Sequence, residues 1–414
     1  MNEKRLSICL CSDFFFPSVG GIETHVLELA KQLIAFGHKV VVITRNRGSY
    51  DGEVILFNTL KVYYLKRCTL GIGSSLPAFW ATVPQLYPIL RKEKITHVHC
   101  HQSSSSIGYD AGIIAQLMGL KVFFTEHSLL GLGVIGALHL NLLNSPFLHC
   151  CDQLIAVSQV QAHNIQARTG ISDNITVIPN GVDSSVFVPL KDDSIKLHYP
   201  TIIAVTRFEK RRGSEMLKDI IHIVCTSNVD ARFVIAGDGS NFEDMKSYLQ
   251  ESSFNSRVEL LGYIPHDKIA SVLQKGQFFV NCSLTDAFCI ANVEAASCGL
   301  YVISTDIGGI PEVLPEQMRT LVPPCPKMVA DAILDAIDKK KKVENSHQII
   351  ENMFSWQKIV EKIVFIYRSK KRKENVFRKI LKSFQPYMSF VGIVYYALVL
   401  ILMRLIDLIK FCIH

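Results

Sequence analysis

The sequence predicts an α/β protein made of two tandem Rossmann-like domains, and three observations predict it. Short β-branched runs alternate with helix-period stretches along most of the chain, the pattern of a doubly wound parallel sheet. The alternation occurs twice, broken once by a stretch of turn formers and prolines. At 414 residues, with 49% apolar and 20% charged content, the chain is long enough for two cores.

The first series begins with LSICLCS and a helix over about 22–36, then runs through KVVVIT, LKVYYLK, THVHCH, KVFFTE and QLIAVS. The second comprises TIIAVTR, RFVIAGDG, VELLGYI, FFVNCS and LYVISTD. Between them, IPNGVDSSVFVPLKDDS at 178–194 marks the boundary, giving an N-terminal domain over 1–185 and a second over 186–353. Ligands of open α/β sheets bind beyond the carboxyl ends of the strands, so two facing domains are expected to enclose a cleft.

The net charge of +7 invites a nucleic-acid reading. Much of the excess, however, sits in RSKKRKENVFRKILK at 368–382, beside the most apolar run in the chain. A membrane surface explains that juxtaposition better, and no nucleic-acid partner is expected. The uncharged run Tyr387 to Met403 makes about 25 Å of helix at ~1.5 Å per residue. That is the short limit for a bilayer core of ~27 Å, and Arg404 can snorkel to lengthen it. A membrane-spanning helix over 387–406 is therefore expected, with the upstream cations keeping the bulk of the chain on the cytosolic side.

The 12 cysteines follow no repeating interval, and Cys9, Cys11 and Cys282 lie inside apolar strands. They read as buried free thiols of a reducing compartment, and Cys150–Cys151 has no second pair at zinc-ligand spacing. The opening MNEKRLSICLCSD runs straight into a motif, so no signal peptide is expected.

Four stretches carry candidate chemistry. SDFFFPSVGGIETH ends a strand and enters a helix through Gly20 and Gly21, which would let backbone approach a ligand near a helix start. A tight strand-to-helix turn needs glycine equally. AVTRFEKRRG places Arg207 at a strand end, followed by Lys210, Arg211 and Arg212. Such cations suit a diphosphate or form a solvated basic turn. In IAGDGS, Gly237 and Gly239 follow a strand and would allow close approach to a nucleotide. Finally, TDAFCIANVEAASCG holds Asp286 and Glu294 eight positions apart in a small, apolar segment. A helix from about Phe288 to Cys298 would aim its first amides at a phosphate. The two acids would then meet the sugar and the ribose of a nucleotide-sugar, or serve as a helix cap and a satisfied buried acid.

These stretches, with LKVYYLK, HCHQSSSSIGYDA, TEHSLLG, VIPNGVD and EAASCGLYVISTDIGGIPEVLP, resemble the retaining GT-B glycosyltransferases of the glycogen-synthase-like clan, family 4. Within that clan the resemblance is to the catalytic subunits of phosphatidylinositol N-acetylglucosaminyltransferase, the PIG-A type, over nearly the whole chain. It implies a GT-B fold with a C-terminal transmembrane helix. It implies transfer of N-acetylglucosamine from UDP-N-acetylglucosamine to phosphatidylinositol, the first step of glycosylphosphatidylinositol-anchor synthesis. The expected setting is a multisubunit complex at the endoplasmic reticulum membrane, with no cofactor and no metal. A crossover helix over 354–368 is expected to return to the first domain, followed by a basic juxtamembrane segment over 369–386.

The resemblance also assigns roles. Arg207 and Arg212 would clamp the diphosphate, Asp286 would orient the sugar, and Glu294 would hold the ribose. Gly20, Gly21, Gly237, Gly239, Ile264, Phe288, Cys289 and Ile290 would line the donor. His127 in TEHS would contact the transferred sugar, although a strand-end histidine is often structural. The loop near Leu129 to Leu138 would help select the lipid headgroup. Two positions depart from the family pattern: Asp286 stands where a glutamate is usual and Arg212 where a lysine is usual. Rival expectations are a sister enzyme such as a phosphatidylinositol mannosyltransferase, and a catalytically silent scaffold of the same fold.

Overall fold

The computed structural model describes residues 5–67, 79–131, 145–190, 199–369 and 386–413. The chain divides into two compact units, one of Met1–Pro179 with Trp356–His414 and one of Asn180–Ser355. The basic segment expected over 369–386 lies, from residue 370 to 385, outside the described residues, as does the lipid-selecting loop from residue 132.

In the first unit, β1 (Ser7–Cys11), β2 (Lys39–Arg45), β3 (Gly52–Leu56), β4 (Leu60–Leu65), β5 (His97–His101), β6 (Lys121–Glu126), β7 (Gln153–Ala156) and β8 (Ile175–Val177) form one sheet. Its order is β3-β4-β2-β1-β5-β6-β7-β8, parallel throughout except for β3 against β4. The order reverses between β1 and β5, which makes the carboxyl ends of those strands a binding position. Period-two alternation splits β1 between two cores: Ile8 and Leu10 join one face, Cys9 and Cys11 the other. The helices are α1 (Gly21–Ala35), α2 (Phe79–Lys92), α3 (Ser106–Met118) and α4 (Gln159–Thr169). Ser105 Oγ caps α3 by accepting from Gly108 N at 3.1 Å, and Gly119 ends it in the left-handed region.

In the second unit, β9 (Thr201–Val205), β10 (Arg232–Ala236), β11 (Val258–Gly262), β12 (Phe278–Asn281), β13 (Tyr301–Thr305) and β14 (Arg319–Val322) form an all-parallel sheet of order β11-β10-β9-β12-β13-β14. This is the doubly wound Rossmann order, with its switch point between β9 and β12. Its helices are α5 (Ser214–Ser227), α6 (Phe242–Glu251), α7 (Ile269–Leu273), α8 (Ile290–Ser297), α9 (Pro326–Asp338) and α10 (Ser346–Phe354). The unit's two ends meet: Val182 N donates to Phe354 O at 2.8 Å, and Val182 bridges to Ser355.

The chain then re-enters the first unit as α11 (Trp356–Ser369) and α12 (Pro386–Ile413). Ile359, Val360, Ile363 and Tyr367 of α11 repeat at helical spacing and pack with Val26, Leu29 and Leu33 of α1 into the core over β1 and β2. The Tyr367 hydroxyl reaches His99 Nδ1 at 2.7 Å, and its carbonyl accepts from Lys121 Nζ at 2.9 Å. The 28 residues of α12 include, over Gly392–Ile409, a stretch apolar and long enough to cross a membrane.

Two local expectations are corrected. The helix expected from Phe288 begins at Ile290, because Cys289 takes a left-handed conformation (φ 60°) that no α-helix accommodates. Strands β3, β8 and β14 are additional to the expected runs, and each lies at a sheet edge.

Candidate active site

At the switch point of the second sheet, the chain leaves β9 through Arg207 and enters a 3₁₀ turn at Lys210–Arg212. Gly213 follows with φ 73°, and a Cβ there would lie 1.9 Å from the carbonyl oxygen of Cys282, just beyond β12. Glycine at 213 therefore brings the basic turn against the loop that carries Asp286. Leu284 N completes the join by donating to Arg211 O at 2.9 Å.

Arg212 Nη1 donates to Asp286 Oδ2 and, at 3.4 Å, to Ser283 Oγ. Burial works against the guanidinium charge, but the Asp286 carboxylate more than offsets it and holds the group above its ordinary value. Asp286 Oδ1 in turn accepts the amides of Phe288 (3.2 Å) and Cys289 (3.0 Å). Those two amides, expected to face a phosphate, are engaged by the side chain instead, and Ile290 opens the helix. Arg207 stands exposed beyond β9. Glu209 is held below the usual carboxylate range, burial opposing and Arg211, Arg207 and Arg212 favouring its charge.

Glu294 lies one turn into α8, 4% exposed. Its Oε1 is 2.7 Å from Nε2 of His266, a residue of the turn after β11 that sequence reasoning missed. Ile264 is half-buried just before that turn. Gly237 and Gly239 have an internal reason to be glycine: a Cβ at Gly237 would lie 1.7 Å from Thr206 O, and one at Gly239 2.7 Å from Phe208 O. They pack the β10 loop onto the β9 loop, where Phe208 N donates to Asp238 O.

The first unit gathers a second set of groups at its own switch point. Asp13, after β1, accepts from Ser105 Oγ (2.8 Å) and Ile107 N (3.0 Å), tying the two loops together. Gly20 is extended and Gly21 opens α1, where an added Cβ would meet nothing within 4 Å. Internal packing therefore does not require glycine at 21. His127, directly after β6, faces His25 of α1 and His101 of β5. Ring centroids are 4.7 Å apart for His25–His127 and 5.4 Å for His101–His127, and His101 Nδ1 and His127 Nε2 share a hydrogen bond at 3.2 Å. Burial, then the charges of neighbouring imidazoles, pushes both His101 and His127 well below the usual range, so both rings are neutral at pH 7. Beneath them Glu126, fully buried, pairs with Arg168 at 2.8 Å and accepts the amides of His127 (3.1 Å) and Ser103 (3.2 Å). That arrangement fixes the backbone that presents His127.

Sequence reasoning assigns no role to His25 and His101, although both fall inside its motifs. The signal for His101 is the alternation in HVHCH, which sends His97, His99 and His101 to one face of β5. One nitrogen from each of His25, His101 and His127 lies within 4.8 Å of the others. Neutral imidazoles so placed could hold a zinc-class ion or donate and accept around a polyhydroxylated ligand.

Residues 19–186 match the family Glycosyltransferase Family 4, and residues 190–356 match Glycosyl transferases group 1. Among solved structures, sucrose-phosphate synthase from Thermosynechococcus elongatus superposes with a TM-score of 0.74 at 20% identity, covering 88% of this chain and 98% of that one. HepE of Anabaena, in complex with UDP and glucose, gives 0.70 at 18% identity over 88% and 100%. These likenesses establish the GT-B fold. A phosphatidylinositol N-acetylglucosaminyltransferase subunit of Arabidopsis thaliana is 38% identical over 373 residues, 88% of this chain and 82% of the relative. Its human namesake is 37% identical over 88% and 76%, and the gpi3 subunit of the same transferase from Schizosaccharomyces pombe is 37% identical over 87% and 80%. The chain belongs to the PIG-A family of glycosyltransferases.

This PIG-A family glycosyltransferase thus carries two polar clusters, one at each sheet's switch point. In the second cluster of the PIG-A chain the acid and cation are directly bonded, and in the first the histidines are buried and neutral.

Proposed function

We propose that this chain transfers N-acetylglucosamine from UDP-N-acetylglucosamine to phosphatidylinositol with retention of anomeric configuration. The PIG-A relatives support this reading, and one observation in the second unit carries it. Beyond β9 and β12 stand Arg207, Arg212 and Asp286, beside the first turn of α8, where a nucleoside diphosphate is held in doubly wound folds.

In this reading Arg207 and Arg212 stabilise the diphosphate as the glycosidic bond to it breaks. An inositol hydroxyl of the acceptor forms the new bond to the anomeric carbon on the same face, and its proton passes to an oxygen of the departing UDP. Asp286 orients the sugar hydroxyls and Glu294 holds the ribose. Gly237, Gly239, Ile264, Phe288, Cys289 and Ile290 shape the donor site. In the first unit, Gly20 and Gly21 approach the donor phosphate or the acceptor, and His127 contacts the transferred sugar. No metal or cofactor enters the reaction. The chain works on the cytosolic side of the endoplasmic reticulum membrane with other membrane subunits.

The test is transfer of radiolabel from UDP-N-acetylglucosamine to phosphatidylinositol in membranes of cells that lack this transferase's own catalytic chain and are supplied with this one. Labelled lipid supports the reading; label arriving only from another sugar nucleotide indicates a sister enzyme. A second reading, a silent scaffold, is favoured by the Arg212 charge being already paired with Asp286. It predicts complex assembly with no transfer.

A further inference from the structure

We propose that Arg47, backed by Arg45, receives the phosphodiester of the inositol lipid acceptor on the first unit. This assignment rests on the proposed transfer to phosphatidylinositol for the identity of the acceptor.

Three arginines stand at the carboxyl ends of the paired strands β2 and β4: Arg45 as the last residue of β2, Arg47 two positions on, and Arg67 two positions beyond β4. They differ in what already holds them. Arg67, 2% exposed in its side chain, donates from Nη2 to Ser106 Oγ at 3.0 Å and pairs with Asp110 Oδ2 at 3.4 Å, so its charge has a carboxylate. Buried Arg45 donates from Nε to the Asp13 carbonyl oxygen at 3.3 Å, a neutral acceptor. Nε of Arg47 is buried and meets no hydrogen-bond partner among the described residues. A guanidinium donor buried and left unmade costs free energy until a ligand takes it.

The charges of Arg45 and Arg47 also oppose each other. Burial, then the charge of Arg47, pulls the Arg45 guanidinium below its ordinary value, and burial does the same to Arg47. Asp13 and Glu23 offset this only in part. An anion bound by both cations relieves their repulsion and replaces their lost hydration.

The turn that carries Arg47 is held in place. Arg47 N donates to Tyr50 O at 3.1 Å and Tyr50 N to Arg47 O at 2.9 Å, closing the turn. The Tyr50 ring meets Phe16 edge-on at 5.5 Å between centroids, and the Tyr64 hydroxyl donates to Phe16 O at 2.9 Å. The turn is thereby fixed to the loop that runs from β1 to Gly20 and Gly21, beyond the strand ends where open α/β sheets take their ligands. In the proposed reaction the donor diphosphate has its own cations, Arg207 and Arg212, in the second unit. The acceptor brings one phosphodiester, whose oxygens match the planar donor fork of an arginine.

Two measurements test this. Initial rates across donor and acceptor concentrations are taken in membranes carrying the full chain in its complex, with a short-chain phosphatidylinositol as acceptor. In parallel, the purified full chain is titrated calorimetrically with inositol 1-phosphate, myo-inositol and inorganic phosphate. Arg47→Gln is expected to raise the acceptor KM about tenfold with the donor KM unchanged, and to weaken inositol 1-phosphate binding about tenfold, in keeping with the loss of a charge-assisted hydrogen bond. Arg47→Lys should recover part of both. An unchanged acceptor KM with transfer intact overturns the proposal and leaves the transferase reading standing. If the chain transfers no sugar, the titration decides: weaker inositol 1-phosphate binding by Arg47→Gln supports the site, and equal binding or none overturns it. Inorganic phosphate held as tightly as inositol 1-phosphate, with myo-inositol left unbound, marks a free-anion site and overturns the headgroup assignment. Where Arg47→Gln fails to fold, Arg47→Lys is expected to raise the acceptor KM alone by about threefold, and an acceptor KM equal to that of the wild-type chain overturns the proposal.

Discussion

Arg212 and Asp286, where the resemblance to the family implies a lysine and a glutamate, are each other's hydrogen-bonded partners. The cation is the longer of its type and the acid the shorter. Exchanging both, to lysine at 212 and glutamate at 286, would shorten the cation and lengthen the acid, changing which residue supplies the reach across the pair. The fork of Arg212 also reaches Ser283, a second bond made from another nitrogen-bound hydrogen of the planar group.

It follows that Asp286→Glu and Arg212→Lys are each expected to lower kcat/KM by about tenfold, and the double substitution to recover most of that loss. Coupling between directly bonded residues is of the order of 0.5–3 kcal/mol. A double-mutant cycle on the transfer rate measures it, and additive losses would sever the two positions.

His266 is expected to act through Glu294. Removing it frees the carboxylate to rotate, so His266→Ala should raise the donor KM by roughly three- to tenfold, in keeping with a charge-assisted hydrogen bond weakened by partial exposure. kcat should change little. Initial rates across donor concentrations separate the two constants, and an unchanged KM would leave His266 a purely structural neighbour.

The buried histidines give stability a definite dependence on pH. Burial lowers His97 to about 4 and His99 to about 3, against about 6.5 in the unfolded chain. Below that value the unfolded chain binds protons that the folded chain refuses, so stability falls as pH drops through the window from ~6.5 towards 4, by about 1.4 kcal/mol per pH unit for each such group. Denaturant melts at pH 7, 6 and 5 should show the decline, and His97→Gln should make it shallower by the share of one group, the other buried histidines keeping the rest. A slope untouched by that change would place the linkage elsewhere.

Glu126→Gln should cost about 3–5 kcal/mol of stability, because it strands the fully buried Arg168 charge. Equilibrium unfolding checks this. Arg168→Met combined with Glu126→Gln should recover part of the loss, since no unpaired charge then remains.

The central strands are legible because strands covered on both faces read as continuous apolar runs. What sequence reasoning misses lies at the margins. Edge strand β8 is half-exposed throughout, and β3 buries only Leu56, so neither shows the signal. In the candidate site, Asp286, Glu294, Arg207 and Arg212 stand out as charges in apolar or strand-end settings. The pairing of Arg212 with Asp286 is a matter of tertiary approach at Gly213, which spacing along the chain does not encode. His266 is invisible for the same reason: its partner is 28 positions away on another element.

The second unit enters and leaves through adjacent residues, Val182 and Phe354, while the first unit recruits Tyr367 for the heart of its core. On the ribosome, the segment synthesised first is therefore not the one that closes first. Residues 1–179 wait with an uncovered apolar sheet face until α11 emerges, and by then the inserted unit has both its ends and can already be folded. Chaperones that hold exposed apolar surface should engage nascent chains from which α11 has not yet emerged, whereas residues 180–355, with their termini already joined, are suited to separate expression.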